Sequence, residues 1–115
     1  MKKDDDFGTV LNRYMSEQKI TVAALSVRTG ISQNAIIGYR SGDHIPNDIH
    51  KLVALCIGLQ INEYRAEYLM NLAHMSFGYD SQGVIYKMLI SLAFFVGLSV
   101  SQVNEILSNY GLQEL

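Results

Sequence analysis

Cysteine, proline and tryptophan are nearly missing from this chain of 115 residues, which has one Cys, one Pro and no Trp. A lone cysteine, Cys56, excludes an intramolecular disulfide framework and suits a reducing compartment. A lone proline, Pro46, argues against a turn-rich β fold and for an all-α chain. Charge is scarce as well: 17% of residues, with a net charge of −2. That balance excludes a bulk polycation that holds any nucleic acid electrostatically. The most apolar stretch, Met88–Val100, is too short to span a bilayer and has Lys87 at its start. The opening MKKDDDFG carries charges and no apolar run, so no secretory leader is expected, and the cytoplasm is the expected location.

What is present is apolar residue in helical spacing. About half the chain, 49%, is hydrophobic, and its length allows one domain with a sizeable core. Asp4–Asp6 supply acids to a helix start, where the macrodipole favours them. Phe7, Val10, Leu11, Tyr14 and Met15 then form one stripe of a helix ending near Gln18. Thr21 is placed to cap a helix running to about Arg28. Gly30 suits the left-handed residue after it, and Ser32 caps a second short helix ending near Ser41–Gly42. Pro46 is placed to open a fourth helix, with Ile49, Leu52, Val53 and Cys56 inward and Gly58 as its stop. Ile61–Met75 reads as a fifth, with Tyr64, Tyr68, Leu72 and Met75 on one side.

Ser76–Gln82 is the candidate linker, which divides the chain into residues 1–75 and 76–115. Gly83–Val96 is apolar almost all round, as a helix is when it is buried on most faces or shared with a partner. Gly97 ends it. Ser99 with Gln102 makes a capping box for a last helix, striped by Val100, Val103, Ile106, Leu107 and Tyr110 and closed by Gly111. Leu52–Ile61 also aligns without gaps on Ser91–Val100, suggesting two similar helical hairpins packed side by side.

Function is sought on the second short helix. Gln33, Asn34, Ile37 and Gly38 share one face, opposite Ile36 and Tyr39. Gln and Asn are the side chains that pair in a bidentate way with adenine in the major groove. An exposed Ile suits a thymine methyl or a protein surface, and Gly38 would let a backbone come close. The helix start at Ser32 offers N–H groups to phosphate. The residues also fit an ordinary solvated first turn.

The spacing of Leu25, Gly30, Ile31, Ser32, Ile36, Gly42, Pro46 and Leu52 resembles the five-helix DNA-binding domain of Cro/XRE-like helix-turn-helix regulators. The resemblance covers roughly Val10–Leu59. It implies that the helix after Gly30 is the recognition helix, with Gln33, Asn34, Ile37 and Gly38 reading base edges. It implies phosphate contacts from Thr21, Val22, Ser41, Asp43 and His44, with Arg28 and Lys51 as nearby cations. Val22 stands where the family commonly has Gln. Met15 and Arg40 replace an Arg/Glu pair, which would release Arg40 toward phosphate or a protein, and Asp43 opposes DNA. The tail from Gly97 to Leu115 resembles that of small bacterial or phage XRE-like proteins, in which a helical pair follows the helix-turn-helix.

The resemblance implies a sequence-specific repressor or autoregulator that binds double-stranded DNA as a homodimer. Its two recognition helices would lie about one DNA turn apart. The alternative is a protein-interaction module on the same fold, such as a mobile-element inhibitor of a host defence nuclease, favoured by the low charge, Val22, Ile37 and Asp43. No catalytic set, phosphate loop or metal motif can be read, so neither an enzyme nor a cofactor is expected. Cys56 has no ligand spacing with His44, His50 or His74 and reads as a core thiol. The Met88–Val96 run either packs under the fifth and last helices or meets a partner.

Overall fold

A computed structural model describes residues 5–78 and 80–115. Lys2, Lys3 and Asp4, the last placed above at a helix start, lie outside the described residues, as does Tyr79 in the expected linker. The chain is all-α, with seven helices and no strand among the described residues: α1 (Phe7–Gln18), α2 (Val22–Thr29), α3 (Gln33–Ser41), α4 (Ile49–Leu59), α5 (Glu63–Leu72), α6 (Ser81–Val96) and α7 (Val100–Asn109). Among the described residues no helix is long and apolar enough to cross a membrane.

Local chemistry sets the helix starts. Asp6, Thr21, Ser32, Asp48, Asn62, Asp80 and Ser99 each cap a helix, and each side chain accepts a first-turn backbone N–H. That interaction satisfies a donor the helix itself leaves orphaned. The Ser99–Gln102 capping box is complete. Asp6 accepts from the Thr9 backbone N–H at 2.8 Å, and this bond holds its carboxyl below the ordinary aspartate range. Asp48, two residues beyond Pro46, opens α4.

Four of the turns share one pattern: a left-handed residue, an apolar residue, then the next helix cap. They are Lys19-Ile20-Thr21, Gly30-Ile31-Ser32, Gln60-Ile61-Asn62 and Gly97-Leu98-Ser99. The apolar middle residue packs on the core and fixes the angle at which the chain re-enters it. Lys19 and Gln60 take positive φ, 54° and 55°, without being glycine. The Gln60 side chain adds hydrogen bonds of its own, donating to the carbonyls of Ile57 at 2.8 Å and Leu98 at 3.0 Å. The α4–α5 and α6–α7 turns are thereby joined directly.

The two hairpins do lie side by side, but the sequence echo is two residues out of register. It aligns Gly58 with Gly97, whereas the left-handed residue equivalent to Gly97 is Gln60. Gly58 does not stop α4. It lies buried in the last turn, where an added Cβ would fall 2.6 Å from Thr29 Cγ2 and 3.2 Å from Leu25 Cδ1. Its small size lets α2 pack against α4. The linker is also shorter than expected, because Asp80 already caps α6.

α4 is the centre. Every residue from 52 to 59 is buried, because α2, α5, α6 and α7 all pack on it. α1 packs on α3 and α5, and α6 on α4 and α5. One continuous apolar core runs from Phe7 to Leu107. Cys56 is buried in it, and burial pushes its thiol pKa up to about 12.

α5 turns a different face inward from the one expected. Ala66, Leu69 and Met70 are buried, while Tyr64 is exposed. Tyr68, half-buried, donates its hydroxyl to Asp5 at 2.7 Å. Asp5 is no solvated helix start: its side chain is buried against Arg13, with contacts of 2.6 and 3.3 Å. The Asp5 carboxylate raises the pKa of both Arg13 and Tyr68. This clasp ties the start of α1 to α5.

Candidate nucleic-acid interface

The α2–α3 pair is held by backbone and by two small side chains in its turn. Thr21 Oγ1 accepts from the Ala24 N–H at 3.1 Å, and Ser32 Oγ from the Ala35 N–H at 3.1 Å. Gly30 takes φ 75°, a conformation that costs a residue with Cβ, and its N–H reaches the Ser26 carbonyl at 2.8 Å. Ser26 Oγ donates to the Ile31 carbonyl at 2.6 Å, and the Ile31 N–H donates to Thr29 Oγ1 at 3.1 Å. Both polar groups of Ile31 are thus satisfied within the turn. Thr29 also donates to the Leu25 carbonyl at 2.8 Å and is buried. Sequence reading missed Ser26 and Thr29. The signal was two hydroxyl residues in the last turns of a helix, where they commonly bond back to carbonyls.

From this rigid base α3 turns Ile36 and Tyr39 into the core and exposes Gln33, Asn34 and Ile37. Gly38 does not belong with those three. It is buried, because the loop after α3 folds back on it. An added Cβ would meet His44 Cδ2 at 2.5 Å, and the Gly38 carbonyl accepts from the His44 N–H at 3.2 Å and from Ser41 Oγ at 3.1 Å. Gly38 makes room for the His44 ring rather than for a ligand backbone.

The residues assigned to phosphate are brought near α3 but several already have work within the chain. Arg40 is not released: its Nε donates to Asn12 Oδ1, and Asn12 Nδ2 returns a bond to the Arg40 carbonyl at 3.2 Å. Gly8 allows that approach, since a Cβ there would stand 2.7 Å from the Arg40 carbonyl oxygen. Met15 fills the core beneath. Arg28 donates to the Gly58 carbonyl at 3.2 Å, tying α2 to the end of α4. Ser41 is engaged with Gly38, as above, and Thr21 and Ser32 with their own helices. Lys51 lines a groove with Ser32 at the start of α3, together with Asp48, His50 and Glu114. A neighbouring groove contains Arg28, Glu105 and Glu114.

Residues 113–115 therefore lie beside the α2–α3 turn, held there by the Leu115 N–H, which donates to Asn104 Oδ1 of α7 at 2.7 Å. The surface around α3 carries the amides of Gln33 and Asn34, the exposed Ile37 and charges of both signs. It can offer hydrogen bonds to base edges or peptide groups from Gln33 and Asn34, and apolar contact from Ile37. Among the described residues it has no continuous basic stripe. In comparisons with protein-family models, curated proteins and solved structures, the chain has no significant match.

Proposed function

We propose that the chain is a sequence-specific duplex-DNA-binding regulator, a repressor or autoregulator, that reads the major groove with α3. In this reading α1–α5 form a Cro/XRE-like helix-turn-helix domain, and two copies present their α3 helices about one DNA turn apart. One observation carries it. Gln33, Asn34 and Ile37 stand exposed together on a short helix whose base is fully hydrogen-bonded. Such a helix loses little conformational freedom on entering a groove, and its amides match adenine edges. Asn34→Ala is expected to weaken binding to a selected site by ~1–3 kcal/mol while leaving binding to random duplex nearly unchanged. Selection from a random duplex library followed by titration measures both. An equal loss on random DNA would remove the base-reading role.

A second reading is favoured by the acids beside the turn. Glu114 and Asp48 share the groove of Lys51 and Ser32, which suits a protein surface better than a phosphate backbone. Salt dependence separates the two: a regulator of this kind shows duplex affinity that falls steeply with added salt. Absence of duplex binding at low salt overturns the DNA reading and leaves the protein-interaction reading.

A further inference from the structure

We propose that the exposed face of α6 and the groove between α6 and α7 are the surface on which a second copy of this chain docks, by two-fold symmetric pairing. Val84, Met88, Leu92 and Phe95 stand at i, i+4, i+8 and i+11, so they form a single stripe along α6. All four are exposed, Met88 at 64% and Phe95 at 80%, and Tyr110 beside them is 79% exposed. The stripe borders a groove whose far wall is Ile106, Tyr110 and Leu112 and whose floor includes Leu89 and Leu107.

Size and charge select the occupant. With the adjoining Phe94 and Val96, seven large apolar side chains here are each at least 40% exposed, a surface on the order of several hundred Å², the scale of one partner's share of a standard stable interface. α6 carries one charge, Lys87, in 16 residues. That charge is met within the chain by Glu67 at 3.1 Å and Glu63 at 3.9 Å. The stripe itself carries no charge, and Glu63 and Lys87, which border the groove, are paired with each other within the chain. Neither a phosphate backbone nor an anionic lipid surface finds the cations it needs on this stripe.

In the proposed pairing Met88 and Phe95, which edge the groove of one copy, enter the groove of the other. The same patch then serves both subunits, as a closed two-fold interface requires. α6 spans about 24 Å, enough for such a stripe to cross its counterpart along several turns. The inference deepens the two-copy part of the proposed function by assigning its surface, and it needs no DNA.

Sedimentation equilibrium of the full chain tests it. The expected mass is twice the 12.9 kDa of one chain. Phe95→Glu and Met88→Glu are each expected to weaken self-association by about 30-fold or more, as the loss of a central anchor does. Circular dichroism of both variants should match the parent, since neither side chain is in the core. Tyr64→Glu, equally exposed but on α5, should leave the mass at that of a dimer. A parent that sediments as a monomer at high micromolar concentration overturns the inference. So does a dimer that survives both α6 substitutions, although that result leaves the two-copy regulator standing. Loss of duplex binding in a chain still paired through α6 would instead sink the DNA reading alone.

Discussion

α4 and α6 are nearly the same helix by composition and opposite in fate. Each is apolar almost all round: α4 runs LVALCIGL at its end, α6 MLISLAFFV. In α4 every one of residues 52–59 is buried, whereas α6 leaves Val84, Met88, Leu92, Phe94, Phe95 and Val96 exposed. α4 is enclosed because α2, α5, α6 and α7 pack around it; α6 is covered by α4 and α5 on one side only. An all-round apolar helix therefore states a demand for cover without saying which molecule supplies it. In α4 the chain itself supplies it, and in α6 half the demand is unmet.

The sharpest way to break this comparison is thiol chemistry. Cys56 lies inside α4 with its pKa pushed up to about 12 by burial. At neutral pH it should react with a thiol reagent only through unfolding, more slowly than an exposed thiol by a factor on the order of 10³ or more. Phe95→Cys should react at once on the monomer and become protected as the chain concentration rises. The raised thiol pKa also fixes a sign. Its contribution to stability is fully present below pH 9, the ordinary value, and is lost as pH climbs toward 12. Tyr86 of α6, raised by burial, adds a loss of the same sense above pH 10. Unfolding followed by circular dichroism against pH should show the decline on the alkaline side.

Truncation measures the same contrast in energy. Leu55→Ala in α4 is expected to cost ~2–5 kcal/mol in urea unfolding, because a closed core cannot refill the cavity. Leu92→Ala should cost under about 1 kcal/mol in the dilute monomer, where its side chain is partly solvated. Equal costs would mean that α6 is as enclosed as α4. A smaller test uses glycine. Gly58→Ala pushes a methyl toward Thr29 and Leu25 between packed helices and should destabilise by ~1–3 kcal/mol. Gly38→Ala meets only the edge of the His44 ring, which can swing aside, and recovers helix propensity worth up to about 1 kcal/mol. Thermal unfolding should therefore move down for the first and stay level or rise for the second.

Much of the fold was legible because its signals are local. Thr21, Ser32 and Ser99 cap helices by chemistry that acts within three residues, and Gly30 and Gly97 end helices by their own conformational freedom. The errors fall where distant contacts decide. Lys19 and Gln60 turn left-handed without glycine, Gly58 closes a helix–helix contact instead of ending a helix, and α5 buries Leu69 while exposing Tyr64. In the candidate site, Gln33, Asn34 and Ile37 could be placed from helical spacing alone. The cover on Gly38 and the engagement of Arg40 could not, since His44 and Asn12 reach them through the tertiary fold. Nor could Asp5 be seen as buried, because its partners Arg13 and Tyr68 come from α1 and α5.

The recurring turn of left-handed residue, apolar residue and cap also bears on how quickly the molecule assembles. Each such turn closes a hairpin using information held in three consecutive positions, so neighbouring helices can meet before remote segments are brought together. Helical chains with this economy of loop closure reach the native state in about microseconds to milliseconds. For this one, the slow event is expected to be the enclosure of α4, which waits for α6 and α7 to fold back on it from further along the chain.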